Sequence, residues 1–235
     1  MKIPEPYSEF TEKINPNIIV MEFINGRKIT EIDPEDNDRF GKILASFSVK
    51  AAFCNSIYHG DLHPGNILFI KDSAAAAAVY KIGLLDFGII GHLTRMDQEL
   101  LFKSAKLLYQ KKYKRVIHMI LKEMSEDLTI YNKPGAHVKL EDEVFNKLHR
   151  ELHAVIIDYA TPEIKFLGVN ELYTINYILN NYNLTFRRSL YRLFITIAIM
   201  DSIATKLGSE MSYMQHMTDV VIDLFGIDTG NFVDD

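Results

Sequence analysis

Two short strings, "HGDLHPGN" at 59–66 and "LLDFG" at 84–88, constrain this chain more than any other feature. Each asks for a polar turn anchored to an apolar strand. Pro64 and Gly65 keep a helix from absorbing the first string, so Asp61 and Asn66 converge from the two sides of a tight turn. Asp86 closes an apolar run and stands just before a glycine, which sends its carboxylate from a strand end into a cleft. A carboxylate and an amide oxygen are hard ligands suited to Mg²⁺, an ion that keeps several waters and is completed by substrate phosphates. Either string alone is an ordinary turn. Their order, and the 25 positions that separate Asp61 from Asp86, make them one site.

The rest of the chain is read around that site. Pro4 and Pro6 predict an extended opening, and "NIIVMEFI" has the length and β-branched content of a buried strand broken by Gly26. Asp33 as N-cap, Pro34 at the first helical position, and Glu35 and Asp36 in the first turn predict a helix start. Phe40, Ile43, Leu44, Phe47, Ala51 and Cys54 then give one apolar face, ending near Ile57. "NILFI" and "VYKIGLLDF" predict a pair of strands, in whose connection the five alanines from Ala74 to Ala78 sit oddly, since alanine favours helix. Thr94 and Asp97 resemble a capping box. Leu100, Leu101, Leu107 and Leu108 line the helix that follows, and further helices are expected near 112–125, 139–158, 171–182, 185–207 and 212–225. The fold class expected is therefore α+β, a small strand-bearing site followed by a helical body.

Composition excludes some functions. The formal net charge is −5, so no nucleic-acid partner is expected. Cys54 is the single cysteine, which rules out an internal disulfide framework and fits an intracellular, soluble protein. The apolar run from Leu193 to Met200 is closed by Arg192 and Asp201, short of the ~20 residues a membrane span needs. His149 and His153 share a helical face without an evident third ligand and read as a surface helix. "KKYKR", Lys111 to Arg115, reads as a solvated face, with contact to lipid headgroups at a membrane surface as its functional alternative.

The first string fits the Asp-Leu-x-x-x-Asn pattern of a kinase catalytic loop, and the second the Asp-Phe-Gly that binds metal in the same enzymes. In that pattern Asp61 accepts or orients the proton of the attacking hydroxyl, while Asn66 and Asp86 hold magnesium. His59 is expected to brace the loop. With "IIVMEFINGRKITE" before these motifs, "LLDFGIIGHLTRMDQELL" around the second, and "FRRSLYRLFITIAIMDSIATKLGSEMSYM" late in the chain, the sequence resembles the UbiB family of atypical protein-kinase-like proteins, which is associated with coenzyme Q (ubiquinone) biosynthesis. The resemblance implies a protein-kinase-like fold, Mg-ATP as cofactor, and a hinge at "VMEFI". There Glu22 and Phe23 would meet adenine, with Met21 at the back of its pocket. It divides the chain into residues 1–25, strands of a small lobe plus hinge, and residues 26–235, a kinase-like large lobe.

No two of the twelve glycines are spaced as Gly-x-Gly, and the lysine strand, its glutamate partner and the family's Lys-x-Gly-Gln extension have no counterpart in these residues. The small lobe is thus expected to be incomplete, with a separate small-lobe chain as one partner. "TPE" at Thr161–Glu163 resembles the kinase Ala-Pro-Glu but lies 75 positions beyond Asp86 and reads as a turn. Three functions stay open on these residues: a UbiB-like kinase or ATPase weak without the small lobe, a non-catalytic nucleotide-binding or partner-binding module, and a small-molecule kinase of the aminoglycoside or choline type.

Overall fold

A computed structural model describes residues 1–73, 78–128, 141–159, 167–211 and 213–226. Ala74–Ala77 and Thr161–Glu163, both singled out above, lie outside the described residues. The chain opens with a short helix α1 (Ser8–Lys13), placed after the two prolines. A 3₁₀ turn over Pro34–Asp36 leads into α2 (Asn37–Val49), which continues as a π turn over Lys50–Cys54. Four short strands follow: β1 (Ile57–His59), β2 (Ile67–Asp72), β3 (Val79–Leu84) and β4 (Ile90–His92). The remainder is mostly helical, with α3 (Arg95–Tyr109), α4 (Tyr113–Met119), β5 (Ser125–Asp127), α5 (Asp142–Tyr159), α6 (Val169–Asn180), β6 (Leu184–Phe186), α7 (Arg188–Leu207) and α8 (Tyr213–Phe225).

The strands form three antiparallel pairs, β1 with β4, β2 with β3, and β5 with β6. The β2–β3 hairpin is the one expected, in the register Ile67↔Leu84 to Asp72↔Val79. The capping box is present too: Asp97 N–H donates to Thr94 Oγ1 at 3.1 Å, and Thr94 N–H donates back to Asp97 at 3.0 Å.

"NIIVMEFI" differs from the expectation of a buried strand. Ile18, Ile19 and Phe23 are exposed, and Ile24 alone of its large side chains is fully buried. Its neighbour is the proline-bearing opening, and Pro4 and Pro6 have no N–H to donate, so the pairing stops at Tyr7 N–H to Val20 O and Glu22 N–H to Glu5 O, each 2.8 Å. Cys54, assigned above to the apolar face, is exposed because the π turn rotates it off that face.

Two cores share one helix. Leu190 and Leu193 of α7 pack with α3 to α6, whereas Met200, Ile203, Ala204 and Leu207 pack with α2, the β2–β3 hairpin and α8. Twenty residues of α-helix span about 30 Å, enough to serve both. Buried Phe40 joins α2 to the hairpin by edge-to-face contacts with Phe69 at 5.0 Å and Tyr80 at 5.4 Å. On the β1–β4 pair, Gly91 faces Tyr58, and a Cβ there would stand 2.0 Å from the ring. Only glycine fits beneath that tyrosine.

Candidate functional site

The register of β2–β3 places Asn66 and Leu85 beside each other, and Leu85 N–H donates to Asn66 O at 3.0 Å. Asn66 and Asp86 therefore leave the same end of one hairpin. The turn before Asn66 is built from its own residues: His63 N–H donates to Asp61 O at 3.1 Å, and Asn66 N–H to His63 O at 2.9 Å. The His63 ring accepts from Gly65 N–H at 3.1 Å, which caps the 3₁₀ turn Pro64–Asn66. Leu62 is buried in the core and pins this loop from below.

Hydrogen bonds decide which atoms remain available. Asn66 Nδ2 donates to Asp61 O at 3.4 Å, which leaves its Oδ1 as an acceptor without a proton. Asp86 Oδ1 accepts from Gly88 N–H at 2.7 Å, leaving the second carboxylate oxygen. Both aspartates are exposed and Asn66 is half-buried. One amide oxygen and one carboxylate oxygen make an incomplete shell, of the kind Mg²⁺ occupies when phosphates and waters complete it. No cluster of three or more His, Cys, Asp or Glu able to hold a metal occurs among the described residues.

His59 ties the two motifs together. It is 4% exposed, and Asp61 N–H donates to its Nδ1 at 3.3 Å, so Nε2 carries the proton and donates to the main-chain oxygen of Asp86. Its ring lies 5.6 Å from that of Phe87, and its own carbonyl accepts from Thr196 Oγ1 of α7 at 3.2 Å. Gly60 N–H donates to Ile89 O at 2.8 Å, and a Cβ at Gly60 would fall 2.6 Å from the Ile89 side chain. The two strings of the sequence are thus one bonded unit around Asp61, Asn66 and Asp86. Thr196 is a contributor that the sequence did not mark, since a threonine inside an apolar helix carries no motif.

The expected hinge residues pair with the opening segment, which together with Ile24 packs on the same hairpin. Lys2 N–H donates to Ile82 O at 2.8 Å and Leu84 N–H to Lys2 O at 3.0 Å, while the Ile24 side chain rests on Gly83. Glu22 Oε2 pairs with Lys2 Nζ at 2.7 Å. That bond and one from Glu5 N–H hold the Glu22 carboxyl below its usual range. Met21 and Phe23 are 40% and 88% exposed, and the Glu22 N–H is spent on Glu5 O. No bond joins these three to Asp61, Asn66 or Asp86 among the described residues. His149 and His153 stack on α5 with rings 6.2 Å apart, away from this site.

Residues 1–120 match the family model described as the ABC1 atypical kinase-like domain. Proteins named "Probable protein kinase UbiB" are similar over the same half of the chain. That of Glaesserella parasuis is 37% identical over 122 residues, covering 50% of this chain and 21% of the relative. Those of Histophilus somni and Cellvibrio japonicus are 34% and 30% identical, with the same coverage of both chains. The match thus takes in about a fifth of the length of these relatives. Among solved structures, Rv3197 of Mycobacterium tuberculosis, determined with erythromycin, shares the fold. Its TM-score is 0.53 at 17% identity, covering 93% of this chain and 52% of that one.

Proposed function

The chain belongs to the ABC1 atypical kinase-like family, and from that premise we propose that it binds Mg-ATP and serves phosphoryl transfer. The observation that carries this reading is the bonded unit of the two motifs, which leaves one oxygen of Asn66 and one of Asp86 at the same hairpin end. Those two oxygens take the metal. A magnesium ion held by them would supply positive charge to offset that developing on the transferred group. Asp61, exposed and without a side-chain partner among the described residues, receives the proton of an acceptor hydroxyl or water. The stretch from Met21 to Phe23 is the adenine-facing hinge, where the Glu22 carbonyl and the Phe23 main chain have no backbone partner among the described residues.

These 235 residues contain no Gly-x-Gly pair. Phosphoryl transfer depends on positioning and on charge neutralisation, so turnover by these residues alone is slow and rises when a segment supplying a glycine loop and a lysine is present. A place in ubiquinone biosynthesis, which the resemblance of the sequence to the UbiB family implies, is part of the same proposal.

Thermal unfolding with Mg²⁺, ATP, or both tests the site. A ligand that binds only the folded state stabilises it by RT ln(1 + [L]/Kd), about 1.4 kcal/mol at a tenfold excess over Kd. The combination raises the melting temperature more than either component, and Asp86→Asn removes the rise. Asp61→Asn keeps the rise but removes any turnover. An equal rise in the Asp86→Asn protein would reject the metal assignment.

A further inference from the structure

The two cores do not close completely on each other. Where they meet, between the α2 π turn, α7 and α8, the structure leaves an apolar pocket of about 90 Å³ that is partly open to solvent. Phe53 and Ile197, packed against both cores, stand on its wall. The space arises from small residues: Ala51 and Ala52 of the π turn are buried there, and neither reaches across the gap.

The wall settles what chemistry the space accepts. No Asp, Glu, Lys or Arg side chain lines it among the described residues. Its polar groups direct their hydrogens elsewhere. Ser48 Oγ donates to Leu44 O at 3.1 Å, Ser104 Oγ to Leu101 O at 2.8 Å, and Thr196 Oγ1 to His59 O at 3.2 Å. Both ring nitrogens of His59 are engaged by Asp61 and Asp86. Waters need two to four polar partners, and an apolar cavity of about 150 Å³ that lacks them stays dry and takes up benzene. The space exceeds the roughly 10–15 Å³ that one water centre requires.

We propose that this cavity is a binding site for a small uncharged apolar molecule about the size of one aromatic ring. The pocket lies directly behind the proposed nucleotide site, sharing His59, Leu62 and Thr196 with the loop that carries Asp61, and differs from it in chemistry. Ser48, Ser104, Thr196 and His59 on its wall are already paired, so the guest is held chiefly by burial and dispersion.

The methionines provide the test. Met124, Met214 and Met217 line the cavity, while Met1, Met21 and Met96 are exposed. Protein carrying ¹³C-methyl methionine is titrated with toluene, without nucleotide. The expected result is saturable shifts of the Met124, Met214 and Met217 methyls, with Met1, Met21 and Met96 unmoved. Ala51→Phe, which puts a ring into the space, abolishes the shifts. The wild-type pattern decides the matter even where that variant does not fold. No saturable shift up to the solubility of toluene, or shifts of equal size at Met21 and Met96, would overturn the proposal.

Discussion

His59 Nε2 donates to the main-chain oxygen of Asp86, 27 positions further along the chain, and so couples the turn that holds Asp61 to the strand end that holds the Asp86 carboxylate. His59→Phe keeps the ring and removes both nitrogens. It leaves the Asp61 N–H and the Asp86 carbonyl without their partner, and we expect a loss of about 1–3 kcal/mol in urea unfolding. The stabilisation by Mg-ATP should shrink in the same variant. Full retention of the nucleotide-dependent shift would show that Asp86 is positioned without the histidine.

Gly91→Ala should destabilise through one identifiable clash. The added methyl meets the Tyr58 ring at 2.0 Å, and overpacking of this kind costs about 1–3 kcal/mol. Tyr58→Ala in the same protein removes the obstacle, so the two substitutions should cost less together than the sum of each alone. A double-mutant cycle with zero coupling would place the strain elsewhere.

Asp36 and Glu35 both pair with Lys71, at 2.8 and 3.3 Å, yet their substitutions should differ sharply. Asp36 is buried and also accepts from Tyr80 Oη at 2.7 Å. Burial raises its carboxyl, but the bonds from Lys71 and Tyr80 outweigh burial and hold it below the usual range. Removing a buried carboxylate and its charge-assisted hydrogen bonds costs about 1.5–3 kcal/mol, so Asp36→Ala should loosen α2 from the hairpin. The Glu35 side chain is 76% exposed, and Glu35→Ala should cost less than about 1 kcal/mol. Equal effects in chemical unfolding would contradict this division.

Stability should fall as the solution is acidified below neutrality. Burial lowers His216 and His149 from the ordinary histidine value of 6.5. The unfolded chain then binds more protons than the folded one, so stability rises with pH in that window. The histidine contribution is complete above about 6.5 and is lost as pH drops toward the folded values. Asp201, raised by burial, acts in the opposite sense at lower pH. Urea unfolding between pH 5 and 7 should show the slope, and His216→Leu should flatten it. An unchanged slope would exclude His216 as a source. The Nε2 atom of this histidine lies 3.2 Å from Ser209 Oγ, which also bonds to Asp38, so protonation disturbs the turn that joins α7 to α8.

The motifs, the β2–β3 pairing, the capping box and the helices were readable because each depends on neighbours within a few residues. Pro34, Thr94 and the short apolar run "ILFI" carry their structural meaning locally. The β1–β4 and β5–β6 pairs were not readable. Each strand has three residues, too few for a period to emerge, and each finds its partner only when distant helices have packed. The same limit hid Thr196, whose role exists only because α7 passes behind β1. "NIIVMEFI" misled for the converse reason: its apolar, β-branched residues signal a sheet, but strand structure needs a neighbour with free N–H groups, and Pro4 and Pro6 withhold them.

The β2–β3 hairpin also acts as a ruler with one fixed end. Asn66 and Asp86 leave the end closed by Ile67↔Leu84, whereas the connection through Ser73 and Ala78 leaves the other, past Asp72↔Val79. Six paired residues at ~3.3 Å each separate the two ends by about 20 Å. Length added at the far end leaves the spacing of Asn66 and Asp86 untouched, whereas a single residue inserted within either strand reverses the facing of everything beyond it. The far connection is therefore the place where this chain tolerates a graft, a fluorophore or an affinity handle.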